Sequence, residues 1–275
     1  MTLLGRLAKK FEREWPVKTV VSKIEPRFIF LLTPPNSGST AIAQTFMSCQ
    51  NVAGLKDNGE GQWLIKGLSD SDRWSDAKQI NKKSLRSVWM DTFNHLHENN
   101  QITHIIEKSP PNMVRIDILK ETFPQHIVIA SNRDPYANVS SKLFRYTSGL
   151  EGLSTNDRHR RVLQLTEQWV KHSTLLRHQI VKHNIPYLSY EDFCADPTSL
   201  QGLIDKSRFS GEINLDFSGL VKVKDYCPQG IMDFNSKQKS NLRHEDFSAI
   251  TDILKPHEGL LSFFNYETLV DSRDV

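Results

Sequence analysis

Apolar and polar positions along this chain fall into two kinds of block. Short apolar runs at 27–32 (RFIFLL), 103–107 (THIIE), 126–131 (HIVIAS) and 185–190 (IPYLSY) have the length and the β-branched or aromatic content of buried strands. Between them, residues 40–49, 78–98, 112–122, 135–147 and 157–183 carry apolar side chains at helical spacing. In the last of these, Val162, Leu165, Trp169, Leu176 and Ile180 share one face. Strands alternating with helices predict an α/β fold in which a parallel central sheet is flanked by helices. Residues 50–76 and 207–240 are rich in Gly, Asp, Asn and Ser and lack a period. They are expected as loops near the C-terminal edge of the sheet, where ligands bind in open α/β folds. Residues 1–26 are expected as a lead-in built on a short basic amphipathic helix, with Leu3, Leu4, Leu7 and Phe11 on one side. That helix would pack on the domain or make a weak peripheral membrane contact. Residues 27–275 read as a single domain.

Composition narrows the picture only slightly. The chain has 275 residues, of which 24% are charged and 38% hydrophobic, an ordinary globular balance. A net charge of +3 gives no argument for nucleic acid, although a local basic pocket for a small polyanion is compatible with it. Cys49, Cys194 and Cys227 are odd in number and far apart, which fits neither a disulfide framework nor a metal cluster. No run approaches the roughly 18 apolar residues of a membrane span, and the first residues lack a signal-peptide core. A cytoplasmic protein without a transmembrane segment is expected.

The chemistry-bearing residues sit at two strand ends. After the first strand the chain reads Pro34-Pro35-Asn36-Ser37-Gly38-Ser39-Thr40 and then turns helical. Such a strand-loop-helix aims backbone N–H groups and hydroxyls at one spot, where the helix dipole also favours an anion. It is not a Walker A loop, because no Lys follows Gly38. The second element is HIVIASNRDPYANVSSK (126–142). Asp134 is placed to cap a helix, Pro135 fits its first turn, and Ser141 falls eight positions after Arg133, two helical turns along. An Arg fork and a hydroxyl held in this way both suit a phosphate. Two anion stations after two parallel strands imply a ligand with two separated phosphate or sulfate groups. Asn138-Val139-Ser140 matches a glycosylation pattern but falls on a predicted helix.

At these residues the sequence resembles the sulfotransferases that use 3′-phosphoadenosine-5′-phosphosulfate (PAPS). Their strand plus P-[K/R]-S-G-[T/S]-[T/S] cradles the 5′-phosphosulfate, and their R-D-P…S holds the 3′-phosphate. The resemblance extends through EKSPPNMVRIDILKETFP (107–124), YEDFCADP (190–197) and the stretch from FNSKQKSNLR to FFNYE (234–267). It implies the sulfotransferase variant of the P-loop nucleotide-binding architecture. It also implies PAPS as co-substrate, no metal, and a hydroxyl or amine of a carbohydrate or small molecule as acceptor. Carried over by position, Asn36, Ser37, Gly38, Ser39 and Thr40 border the 5′ end, Arg133 and Ser141 the 3′-phosphate, and Tyr190 the adenine.

The pattern is broken at three places. Asn36 stands where the family's first motif carries Lys or Arg, and Lys108, at the end of the second strand, is the expected replacement, with Lys56 behind it. Ala41 replaces an aromatic found in many relatives. Pro110 stands where cytosolic small-molecule members carry a catalytic His. The family's alternative base is a Glu after the first helix, which points to Glu60, expected to act if partial burial raises its pKa. Strand alternation turns Glu107 away from Lys108, and Trp63, near Glu60, is a candidate for the acceptor pocket. Two other readings stay open, a P-loop-like kinase and a nucleotide-binding protein repurposed away from catalysis. The first lacks its P-loop Lys; the second is favoured by Asn36.

Overall fold

The computed structural model describes residues 24–221 and 229–269. The amphipathic helix expected within the first 26 residues lies almost wholly outside that range, and so does Cys227. Four strands form one sheet: β1 (Arg27–Leu32), β2 (Val52–Gly54), β3 (His104–Glu107) and β4 (His126–Ala130). All pair in parallel in the order β2-β3-β1-β4. The central strand explains the arrangement. Phe28, Phe30 and Leu32 face one core and Ile29 and Leu31 the other, so β1 is buried on both sides. On the first face Phe28 packs against Phe123 (ring centroids 4.3 Å apart) and Trp89 (5.7 Å).

Helices cover the sheet: α1 (Ser39–Met47), α2 (Lys82–Asn100), α3 (Ile116–Thr122), α4 (Pro135–Tyr146) and α5 (Thr155–His183). α2 starts later than its apolar period suggests because the side chain of Asn81 caps it, accepting from the Ser84 amide. The stretch 112–122 divides into a 3₁₀ turn at Pro110–Val114 and then α3. Five further helices follow among the described residues: α6 (Tyr190–Ala195), α7 (Thr198–Asp205), α8 (Asn235–Lys239), α9 (His244–Leu254) and α10 (Glu258–Phe263). A buried ion pair fastens α5 to α9. Arg158 Nε donates to both carboxylate oxygens of Asp246 at 3.1 Å, and the same carboxylate accepts the Arg243 amide that opens α9.

Two expectations are corrected. Residues 185–190 are not a full strand. They make one parallel bridge, Ala130 with Tyr187, after which Ser189 caps α6 by accepting from the Asp192 amide. The fourth strand instead comes from 52–54, inside a stretch read as loop.

The registers place the ends of β1, β3 and β4 along one edge. Phe30 lies opposite Glu107, and Leu32 opposite Ala130. The chain leaves β1 toward β2 and β3 on one side and returns to β4 on the other. The strand order therefore reverses beside β1, where such sheets form their binding crevice. No described helix is long and apolar enough to cross a membrane.

Candidate active site

The loop after β1 runs from Thr33 to Gly38 and delivers the start of α1 to that crevice. Asn36 and Gly38 both take left-handed backbone angles, φ 64° and 79°, a conformation open to Gly and tolerated by Asn. Gly38 is also required by its neighbour, since a Cβ there would sit 2.1 Å from Cδ2 of Tyr190. α1 begins with no side-chain cap and no acidic residue in its first turn. Its leading amides are thus left for another acceptor. The loop is clamped from α4: buried Asn138 donates to the Pro35 carbonyl (2.9 Å) and to the Ser37 hydroxyl (3.1 Å). In the sequence Asn138 stands out only as part of a sequon; in the structure it shapes the loop.

Arg133 follows β4, and Asp134 caps α4 by accepting from the Ala137 amide at 2.8 Å. The Arg133 guanidinium lies over the Tyr190 ring, 4.4 Å from its centroid. Its Nε donates to Asn235 Oδ1 at 2.8 Å. Asn235 Nδ2 donates in turn to Glu191 Oε1 (2.6 Å), and Glu191 Oε2 accepts from the Tyr266 hydroxyl (3.0 Å). Because Arg133 Nε can only donate, the Asn235 amide turns its oxygen to Arg133 and its nitrogen to Glu191, whose carboxyl is pushed up by burial. The Arg fork is thereby oriented while Nη2 remains buried without a hydrogen-bond partner. An orphaned buried guanidinium donor is costly unless an acceptor arrives.

The third group sits where β3 ends. Three bonds lock residues 59–62 against it, and a fourth ties them to α2. Lys108 N donates to the Gly59 carbonyl (2.8 Å), Gly61 N to Glu107 Oε2 (2.5 Å), Gln62 N to Ser109 Oγ (3.2 Å) and Trp89 Nε1 to the Gly61 carbonyl (3.2 Å). Gly61 is needed for this fit, since a Cβ would come within 2.8 Å of Glu107 Oε2 and 2.6 Å of Leu55. Glu107 is fully buried and structural, turned away from Lys108 as strand alternation requires, and burial pushes its carboxyl up.

Glu60, held by this loop, meets Lys108 with Nζ 3.0 Å from Oε1. Its Oε2 accepts from Trp63 Nε1 (3.0 Å) and Gln62 Nε2 (3.1 Å). Burial alone would raise the Glu60 carboxyl, but the Lys108 charge and these hydrogen bonds outweigh it, and the net shift is down. The sequence expectation of a raised pKa is therefore reversed in the unliganded protein. Lys108 itself is buried, not a solvated strand-end residue.

All three groups open on one cavity of about 820 Å³. Of the residues read from sequence, Asn36, Gly38, Ser39, Thr40, Glu60, Lys108, Arg133, Ser141 and Tyr190 line it. Ser37 does not; its hydroxyl points into the protein toward Asn138. Lys56 is also absent from the lining, whereas Trp63, Arg73 and Arg145 are present. Lys237, Gln238 and Asn241 join from the C-terminal segment. Lys237 was not singled out from the sequence, although its place in a Lys-rich stretch, FNSKQK, was a signal.

The Sulfotransferase family model matches residues 26–204, well over half of the chain. The chain belongs to the sulfotransferase family. Similar solved structures include sulfotransferase STF9 from Mycobacterium avium, at 14% identity over 88% of this chain and 78% of that one, with a TM-score of 0.51. The sulfotransferase domain from the curacin biosynthetic pathway is 14% identical over 90% of this chain and 100% of that one, TM-score 0.51. A sulfotransferase from Alicyclobacillus acidocaldarius is 13% identical over 88% and 97% of the two chains, TM-score 0.50. At such identities the likeness concerns the fold, and it agrees with the parallel sheet and flanking helices above. No curated protein matches the sequence. The family match stops before α8 of this sulfotransferase, yet α8 supplies Lys237 to the cavity lining and Asn235 as the partner of Arg133.

Proposed function

We propose that this sulfotransferase transfers the sulfuryl group of PAPS to a hydroxyl, or less readily an amine, of a small-molecule or carbohydrate acceptor. The observation that carries the reading is that both anion stations face one cavity together with the Glu60–Lys108 pair, which stands at the end of β3 on the other side of β1 from β4. PAPS supplies an activated sulfuryl group on its 5′-phosphate. The uncapped start of α1, with the amides and hydroxyls of Ser39 and Thr40, suits the 5′ end. Arg133, whose Nη2 lacks a partner, and Ser141 suit the 3′-phosphate. Tyr190, flat beneath Arg133, borders the adenine.

Glu60 is the proposed base that takes the acceptor proton, and Lys108 the proposed donor to the bridging oxygen as negative charge develops there. In the unliganded protein the two neutralise each other. A phosphosulfate oxygen competing for Lys108 Nζ would release Glu60 from its strongest stabilising charge. Its pKa would then rise toward the range in which a carboxylate is a better base.

Calorimetric titration with PAP tests the donor site, with ATP–Mg²⁺ as the control. PAP is expected to bind wild type, and Arg133→Ala to weaken it roughly tenfold to a hundredfold, since charge-assisted hydrogen bonds contribute about 1.5–3 kcal/mol. Ser141→Ala is expected to lose several-fold. Preference for ATP–Mg²⁺ over PAP would move the reading to a kinase-like protein, and PAP binding without transfer to any acceptor would favour a repurposed binding protein.

A further inference from the structure

Around Glu60 and Asn36 the cavity wall has a composition that the donor does not account for. Trp63 bonds to Glu60, and the Tyr146 hydroxyl reaches Asn36 Oδ1 at 3.4 Å, so both rings stand beside the reacting groups. Trp74 and Phe144 line the same space. Two of the cavity's cations, Arg73 and Arg145, alternate with these aromatics along the chain, as Arg73-Trp74 and Phe144-Arg145-Tyr146. Among the described residues that line the cavity Glu60 is the only carboxylate, and Lys108 already neutralises it.

The Arg73-Trp74 pair is a built feature of an otherwise exposed loop. Buried Arg115 donates through Nη2 to the Arg73 carbonyl at 2.5 Å, and the Trp74 ring stacks on buried His172 with centroids 4.1 Å apart. Arg73 reaches only carbonyls of its own loop, Ser69 and Asp70, each at a long 3.5 Å, and no carboxylate pairs with it among the described residues. Behind it, Arg115 Nε and Nη1 are buried without hydrogen-bond partners, and the Arg115 charge is balanced by Glu107 and Asp72, so the Arg73 guanidinium is the cation this loop presents to the cavity.

We infer that the acceptor is a small hydroxyl-bearing molecule with a flat ring and an anionic substituent. The ring is held among Trp63, Trp74, Phe144 and Tyr146, and the anion is read by Arg73 and Arg145. This rests on the sulfotransferase reading for the role of the hydroxyl, but not for the anion preference itself. Aromatic walls hold planar bodies with little specificity, whereas an Arg in a partly desolvated wall discriminates strongly for a carboxylate, sulfate or phosphate.

The test uses para-hydroxyphenylacetate and its methyl ester, titrated into the full chain with and without saturating PAP at low ionic strength. The acid is expected to bind roughly tenfold or more tightly than the ester, the size of effect typical of charge-assisted hydrogen bonds. Arg73→Gln should bring the two within about twofold, and Arg145→Gln should shrink the gap in the same direction, with thermal unfolding run on each variant to verify folding. Equal binding of acid and ester, a preference that survives both substitutions, or no binding of either would overturn the inference. Failure of wild type to bind PAP would instead sink the donor reading, and the comparison without PAP would still decide the anion preference.

Discussion

Lys108→Ala is expected to lower kcat by roughly two to three orders of magnitude, with PAP affinity changed far less. Removing one preorganised donor from a developing oxyanion costs about 3–4 kcal/mol in comparable sites, because the charge it serves exists mainly in the transition state. Lys108 is placed for such a loss. Its backbone amide is tied to Gly59, its side chain is 3% exposed, and no cation stands at Asn36 to substitute for it. The same variant carries a second readout. In wild type the Glu60 carboxyl is held below the usual range, so a base acting in its ionised form stays active as pH falls until that lowered pKa is reached. Without the ammonium, burial is no longer outweighed, the carboxyl rises, and the acid limb of the kcat/KM profile should move to higher pH. Glu60→Gln should abolish that limb and lower kcat by roughly a hundredfold or more. Single-turnover assays and pH profiles of both variants check this. A Lys108→Ala enzyme within a few-fold of wild type, with its acid limb unmoved, would remove both residues from the chemistry.

The sequence made the frame of the fold legible wherever an element is long enough to show its period or sits between clear stop signals. β1, with five consecutive apolar residues, and α5, with one apolar stripe from Val162 to Ile180, are readable for that reason. β2 is not, since three residues carry no period and take their conformation from pairing with β3. The 185–190 run has strand composition, yet the Ser189 cap and the acidic residues Glu191 and Asp192 just after it already signalled a helix start. At the site, candidates that rest on a local spacing, such as Arg133 and Ser141, are legible in the sequence, and both line the cavity. Those whose role depends on distant partners are not. Asn138 holds a loop about a hundred residues away, Asn235 orients Arg133 across a similar distance with Glu191 fixing its amide, and Arg115 pins Arg73. The direction of the Glu60 shift was missed for the same reason, since it depends on a contact with Lys108 that only folding creates.

Gly38→Ala tests whether the two anion stations are one mechanical unit. Two costs combine at this position. A residue with a Cβ held at φ 79° loses about 1–2 kcal/mol relative to glycine. The added methyl would also lie 2.1 Å from the Tyr190 ring, and overpacking a tight contact typically costs about 1–3 kcal/mol. The ring cannot swing away freely. Its hydroxyl donates to the Met232 carbonyl at 3.0 Å and accepts the Phe234 amide at 3.2 Å, and Arg133 lies across its face. Relief must therefore come from moving the β1 loop, or Tyr190 together with Arg133, and either displaces a group proposed to hold a donor phosphate. The expected outcome is a stability loss of roughly 2–5 kcal/mol by denaturant unfolding, accompanied by a fall in PAP affinity of about two orders of magnitude at temperatures where the variant is folded. Gly149→Ala separates the two contributions. That glycine has nearly the same backbone angle, φ 66°, but nothing within 4 Å of an added Cβ, so it should show only the smaller backbone cost and leave PAP binding intact. If the two variants lost equal stability and both kept PAP affinity, the contact between the β1 loop and Tyr190 would be packing alone. A loss confined to Gly38→Ala would mean that the loop after β1 and the Arg133 station are positioned through one aromatic ring, so that the 5′ and 3′ ends of the donor are recognised by a single rigid frame.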